Sequence, residues 1–221
     1  MMQRLVSIAL AWVLATAPAH ALSPNIHLEL VGAAERGDAN QVRRFVEAGA
    51  DVNTADHRGR TTMIAATYNG HAPVVAYLLE RNADLRPQDS LRNDVLSAAS
   101  VGGHLAIVRL ALAKGASMTT RNRFGGIPII PAAHYGHVEV VRALIDAGSP
   151  LDHVNNLGWT AILEAILLGD GGPRHTEIVR LLVRAGADHA IADRNGKTPL
   201  ALARERGQTA IARILEEATA K

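Results

Sequence analysis

The chain has 221 residues, of which 48% are hydrophobic and only 3% aromatic, so its apolar set is mostly Ala and Leu. Such small side chains suit thin helices stacked in layers, and the near balance of 23 basic against 21 acidic residues, with no Lys/Arg run longer than two, excludes the clustered basic face of a nucleic-acid binder. With no cysteine there is no disulfide and no lipid-modified N-terminal cysteine, and stability must come from packing.

Residues 1–21 read as a secretory leader. Arg4 gives a positive start, Leu5 to Ala17 an apolar run of 13 residues, and Ala19-His20-Ala21 a small-x-small cleavage site. The run is too short to cross about 30 Å of hydrocarbon as a helix. Residues 22–221 are therefore expected as one mature domain with no membrane insertion, and as a monomer. The lack of any Asn-x-Ser/Thr sequon favours a bacterial periplasm, or secretion, over a eukaryotic secretory route.

The rest of the chain is periodic. Gly70-His71 returns as Gly103-His104 and as Gly136-His137, each 33 residues on, and Gly49-Ala50-Asp51 returns late as Gly186-Ala187-Asp188. A fixed period of this length marks a stacked-repeat architecture. The units run approximately over 26–55, 56–88, 89–121, 122–154, 155–192 and 193–221.

The opening unit has an apolar stripe of Val42, Phe45 and Val46 at helical spacing, but its first helix carries Glu29, Glu35 and Arg36. That polar outer face suits a terminal repeat. In the second unit Thr61 is placed to cap a helix that Gly70 ends, and Val74, Val75, Leu78 and Leu79 form a buried stripe. The third unit caps with Asp94, and Arg92 stands where a glycine would fall, so this turn is the one least specified.

The fourth unit breaks a rule. Ile127 cannot cap, and Pro131 falls where the first intrahelical amide should donate, which predicts a late-starting or distorted helix. In the fifth unit the period lengthens to 38 residues, and the surplus around Asp170-Gly171-Gly172-Pro173-Arg174 predicts a surface loop extension. The sixth unit begins Gly196-Lys197-Thr198-Pro199-Leu200 and ends on Glu216 and Glu217, as a closing cap would.

Thr198-Pro199-Leu200, Ala-Ala before Gly-His, Val-Val-x-x-Leu and Gly-Ala-Asp are phrases of the ankyrin repeat, and the chain closely resembles that family over about residues 26–221. The resemblance implies an all-α solenoid of about six helix-turn-helix units with short β-hairpin fingers. It further implies a non-enzymatic module that binds partners by its fingertips and by the exposed ends of the first helices. The family's histidine in Thr-Pro-Leu-His is Ile64, Ser97, Ile130, Leu163 and Ala201 here, so the hydrogen bonds it makes between fingers and helices are not expected.

Carried onto this chain, those places put Phe124 and Trp159 on fingertips and Tyr68 and Tyr135 at first-helix ends, four of the six aromatics of residues 22–221. Rigid aromatics are what interface hot spots use. With Arg58, Arg123, His134 and Leu157 around them, they are the candidate partner-binding residues, Arg123 being placed to pair an acidic group. No Gly-x-Ser-x-Gly, His-Glu-x-x-His or phosphate loop is present, and no catalytic residue or cofactor is expected.

Of the ten histidines, His71, His104 and His137 belong to the repeat, with His175 as their fifth-unit counterpart. Equivalent positions of stacked helices lie about 10 Å apart, too far to share a metal. His134 and His137 could share a helix face and His153 approach it, but without carboxylates at ligand spacing no metal site is expected. The sequence therefore points to an unidentified protein partner on the concave face. An anionic small molecule or cell-wall ligand is the alternative, as is a role as inhibitor or immunity partner of an exported enzyme.

Overall fold

A computed structural model describes residues 25–220, and the leader read at residues 1–21 lies outside them. The first three pairs of helices are α1 (Ile26–Glu35) and α2 (Ala39–Glu47), α3 (Thr62–Tyr68) and α4 (Ala72–Glu80), and α5 (Val95–Gly102) and α6 (Leu105–Ala113). The next three are α7 (Ile129–His134) and α8 (Val138–Asp146), α9 (Ala161–Leu167) and α10 (Pro173–Arg184), and α11 (Pro199–Glu205) and α12 (Thr209–Thr219). Odd-numbered helices pack on one another in one layer and even-numbered helices in a second, so each unit touches its neighbours and the core runs unbroken along the stack. No described helix is long and apolar enough to cross a membrane.

The two layers follow from two kinds of helix. The first helices of units two to five are buried nearly all round: in α3 every residue from Thr62 to Thr67 is buried, and the hydroxyl of Thr67 is satisfied by donating to the carbonyl of Met63 at 2.8 Å. Ala65 and Ala66 let the neighbouring backbones approach. The second helices are one-sided, as in α4, where Val74, Val75, Leu78 and Leu79 are buried and Glu80 faces water.

Caps fix where the first helices begin. Thr61 accepts from the amide of Ile64 at 3.2 Å and Asp94 from that of Ser97 at 2.8 Å. Thr160 and Thr198 do the same for Leu163 and Ala201, each at 3.3 Å. The fourth unit has no such cap, and α7 is the shortest described helix at six residues, starting one residue later in the repeat than α3. Pro131 lacks the amide that would reach Ile127, whose carbonyl instead takes the amide of Ile130 at 2.9 Å in a tighter turn.

The second helices are tied across units by their N-terminal histidines. His71 Nε2 donates to the carbonyl of Glu35 at 3.1 Å, His104 to Tyr68 at 3.2 Å, His137 to Val101 at 3.0 Å and His175 to His134 at 2.9 Å. Each bond fills a carbonyl left unpaired at the end of the preceding first helix.

The fifth-unit insertion is only partly the loop extension that the sequence suggested. Three of the extra residues lengthen α10 to 12 against nine in α4, α6 and α8. Gly172 and Pro173 stop a helix only from the N-terminal side; as N-cap and first helical residue they start one.

The fingers are tight turns with a single isolated bridge, Ala55 to Thr61, among the described residues. In place of the missing histidine network, neighbouring fingers bond through their backbones. Ser90 donates to Arg58 at 2.8 Å, Arg123 to Leu91 at 3.0 Å and Asn156 to Phe124 at 2.9 Å.

Candidate functional site: a cleft on the fingers of units three to five

One Asx residue shapes each fingertip. Asn122 Oδ1 accepts from the amides of Phe124 and Gly126 at 2.9 and 3.0 Å, and Asn155 Oδ1 from those of Leu157 and Trp159 at 2.9 and 3.0 Å. These turns hold Phe124 and Leu157 out on the fingers. The guanidinium of Arg123 lies 4.6 Å from the Phe124 ring centroid, a cation–π contact, and no described carboxylate pairs with it. The end of α7 presents Tyr135, whose ring stacks on His134 at 4.3 Å.

Between these fingers and the ends of α5, α7 and α9 lies a cleft of about 280 Å³. Seven large hydrophobic side chains are exposed among the described residues, and five of them, Leu91, Phe124, Tyr135, Leu157 and Leu168, line this cleft. Single exposed apolar residues are ordinary; a cluster of them marks a contact surface.

The floor is polar and buried. Glu164 is 5% exposed, and its Oε1 accepts from Asn155 Nδ2 at 2.7 Å. Its Oε2 has no hydrogen-bond donor: His134 Nδ1 comes within 3.3 Å, but off the donor direction. Burial pushes the Glu164 carboxyl up to about 7, with Asn155 offsetting part of that. Burial also pulls the His134 imidazole down, helped by nearby His175. Both partners lean toward neutrality, so the close approach of His134 to Glu164 is not an ion pair at neutral pH. Asn93, also buried, leaves its Oδ1 without a donor on the same cleft.

Five of the eight sequence-derived candidates meet here: Phe124, Arg123, His134, Tyr135 and Leu157. Tyr68 and Arg58 line a smaller neighbouring recess that shares only Leu91 with the cleft. Tyr68 is half-buried and held. Its hydroxyl donates to Asp89 Oδ2 at 2.6 Å and accepts from Asn93 Nδ2 at 2.9 Å, and burial, then Asp89, raises its pKa. Trp159 is half-buried against the core and lines neither space.

Sequence reasoning missed the polar floor. Its signal was present in the register, because Glu164 stands where the second and third units carry Ala65 and Ala98. The histidines are otherwise engaged one by one: His137 on Val101, and His153 Nε2 on the carbonyl of Gly125 at 2.7 Å. No three metal-ligating side chains converge among the described residues.

The family model of ankyrin repeats matches residues 30–122, 95–193 and 129–221. The crystal structure of an ankyrin repeat domain from Acinetobacter baumannii AYE is similar at a TM-score of 0.81 and 40% identity, over 86% of this chain and 97% of that one. A second crystallised ankyrin repeat protein gives a TM-score of 0.80 at 32% identity, over 85% and 96% of the two chains. The ankyrin repeat protein YahD of Escherichia coli (strain K12) is 54% identical over 57 residues, a match spanning 26% of this chain and 28% of YahD.

Proposed function

The chain belongs to the ankyrin-repeat family, whose fold generally serves protein–protein interaction, and from that premise we propose that it is a non-enzymatic module holding a partner protein in the cleft of units three to five. The observation that carries this reading is the gathering of five of the seven exposed large hydrophobics into one cleft. Phe124 and Tyr135 are anchors of the kind that dominate interface energetics. Their backbones are held by Asx turns and helix ends, so a partner is bound without the cost of ordering the groove.

An anionic small molecule or cell-wall fragment suits the cleft less well. Its unsatisfied floor atoms are oxygens of a carboxyl and an amide, which an anion would meet with repulsion once Glu164 ionises, and the cations Arg123 and Arg58 sit out on exposed finger positions. The leader-like residues 1–21 support export, so the proposed setting is the periplasm, with the mature chain a soluble monomer. There it serves as a scaffold, or as inhibitor or immunity partner of an exported enzyme.

A photoreactive residue at Tyr135, with a control at Glu80 on the opposite, even-helix layer, tests the reading in live cells. A discrete adduct at Tyr135 and none at Glu80 is expected. No adduct at Phe124, Tyr135 or Leu157, from protein shown to be folded and exported, would overturn it.

A further inference from the structure

Resting on the reading of the cleft as a protein-binding site, we propose that it takes a lysine or arginine side chain from an extended segment of the partner, the cationic head against Glu164 and the alkyl stem between Phe124 and Tyr135. The free hydrogen-bonding capacity of the floor is all of one kind. Facing a cation, Glu164 is ionised, and its Oε2 is then, like Asn93 Oδ1, a buried acceptor without a donor; the two stand in different repeat units, and both side chains line the same cleft. A buried acceptor left unpaired costs roughly 1–3 kcal/mol, so a group that brings N–H donors into the cleft removes a standing penalty.

Ammonium and guanidinium heads bring three and five donors respectively, where a hydroxyl brings one. The walls favour the same occupant. Apolar walls take up the methylene stem of a long basic side chain and leave its charged head free to reach the floor. Among the described residues nothing already fills the role, because Asn155 holds only Oε1 and His134 misses the donor direction to Oε2. The rim adds a constraint on neighbours. Arg123 has no carboxylate partner among the described residues and stands over Phe124, so an acidic residue beside the inserted base is accommodated and a second base is repelled.

The test is selection of a randomised dodecapeptide display library on the folded protein, followed by calorimetric Kd measurement of the selected peptides. Peptides sharing one Lys or Arg position among apolar neighbours are expected. Replacing that residue by norleucine, which keeps the stem and removes the head, should weaken binding at least tenfold. Glu164→Gln should do the same, and in the doubly changed pair the two losses should not add. Peptides lacking any fixed basic position, or bound equally by the Glu164→Gln protein, would overturn the inference. The norleucine exchange leaves the protein untouched, so a folding defect cannot mimic the result. Peptides that need Phe124 and Tyr135 but not Glu164 would sink this inference alone. Binding indifferent to Phe124→Ala and Tyr135→Ala would sink the cleft reading with it.

Discussion

Arg92 is held in the left-handed region at φ +59°, in a fingertip place that its counterparts Gly59, Gly125, Gly158 and Gly196 fill with glycine. A Cβ there costs roughly 1–2 kcal/mol, and the greater freedom of glycine in the unfolded chain returns part of it. Arg92→Gly is therefore expected to stabilise the protein by about 1 kcal/mol, seen as a higher urea midpoint at an unchanged slope. A lower midpoint would show that the arginine side chain offsets its backbone strain. Glu164 makes a second prediction at this scale. Its folded pKa, about 7, lies above the ordinary 4.5, so the folded chain holds this proton more tightly than the unfolded one. The group's contribution to stability is complete below pH 4.5 and is lost as the pH rises through 7. Over that window the loss is on the order of 3 kcal/mol. Glu164→Gln, always neutral and able to keep the Asn155 bond, should be the more stable protein at pH 8 and show no gain near pH 4.5 in urea unfolding. The residue scale is also where the sequence was least legible. The family resemblance assigns Phe124 to a fingertip and Tyr135 to a first-helix end, but neither it nor the periodicity gives depth. Depth depends on what the next unit supplies: Asp89 and Asn93 capture the Tyr68 hydroxyl from one unit further on.

At the scale of elements, the boundaries that local chemistry controls were readable. Thr61 and Asp94 cap where they were expected to, Thr160 and Thr198 do the same in the later units, and Pro131 delays α7 for the reason its missing amide gives. The added turn of α10 was not readable, because Gly-Gly-Pro forbids continuation of α9 without saying whether a loop or a new helix follows. What joins one pair of helices to the next is the histidine ladder. The His104 ring packs so closely on Gly70 that a Cβ there would meet it at 2.8 Å, while its Nε2 satisfies Tyr68's carbonyl. His104→Ala should cost about 1–2 kcal/mol by leaving that carbonyl unpaired. His104→Gln should recover much of it, since Gln208 Nε2 already performs the same task for Ile166 at 3.0 Å in the last unit. Chemical denaturation of the three proteins checks the order. Equal losses for Ala and Gln would assign the stabilisation to ring packing instead of the hydrogen bond.

The described residues form a chain of nearest-neighbour contacts, in which the first and last described units touch one other unit each. Burial follows this within one layer: α2 buries Val42 alone, whereas α4, its counterpart one unit further in, buries five residues from Val74 to Leu79. The cleft belongs to units three to five, away from either end, so its fingers stand on the best-supported helices. Amide hydrogen exchange is expected to be fastest in α2 and α12 and slowest in α5 and α9, which open only with most of the stack. The informative element is α7, short and uncapped yet wedged between those two. If neighbour packing dominates, its amides exchange as slowly as those of α5, and a bound partner adds protection mainly at the fingertips around Asn122 and Asn155. If the missing cap dominates, α7 exchanges with the terminal helices and gains protection on binding. The groove would then be ordered by its partner, its affinity would carry that ordering cost, and the cleft would not be preformed.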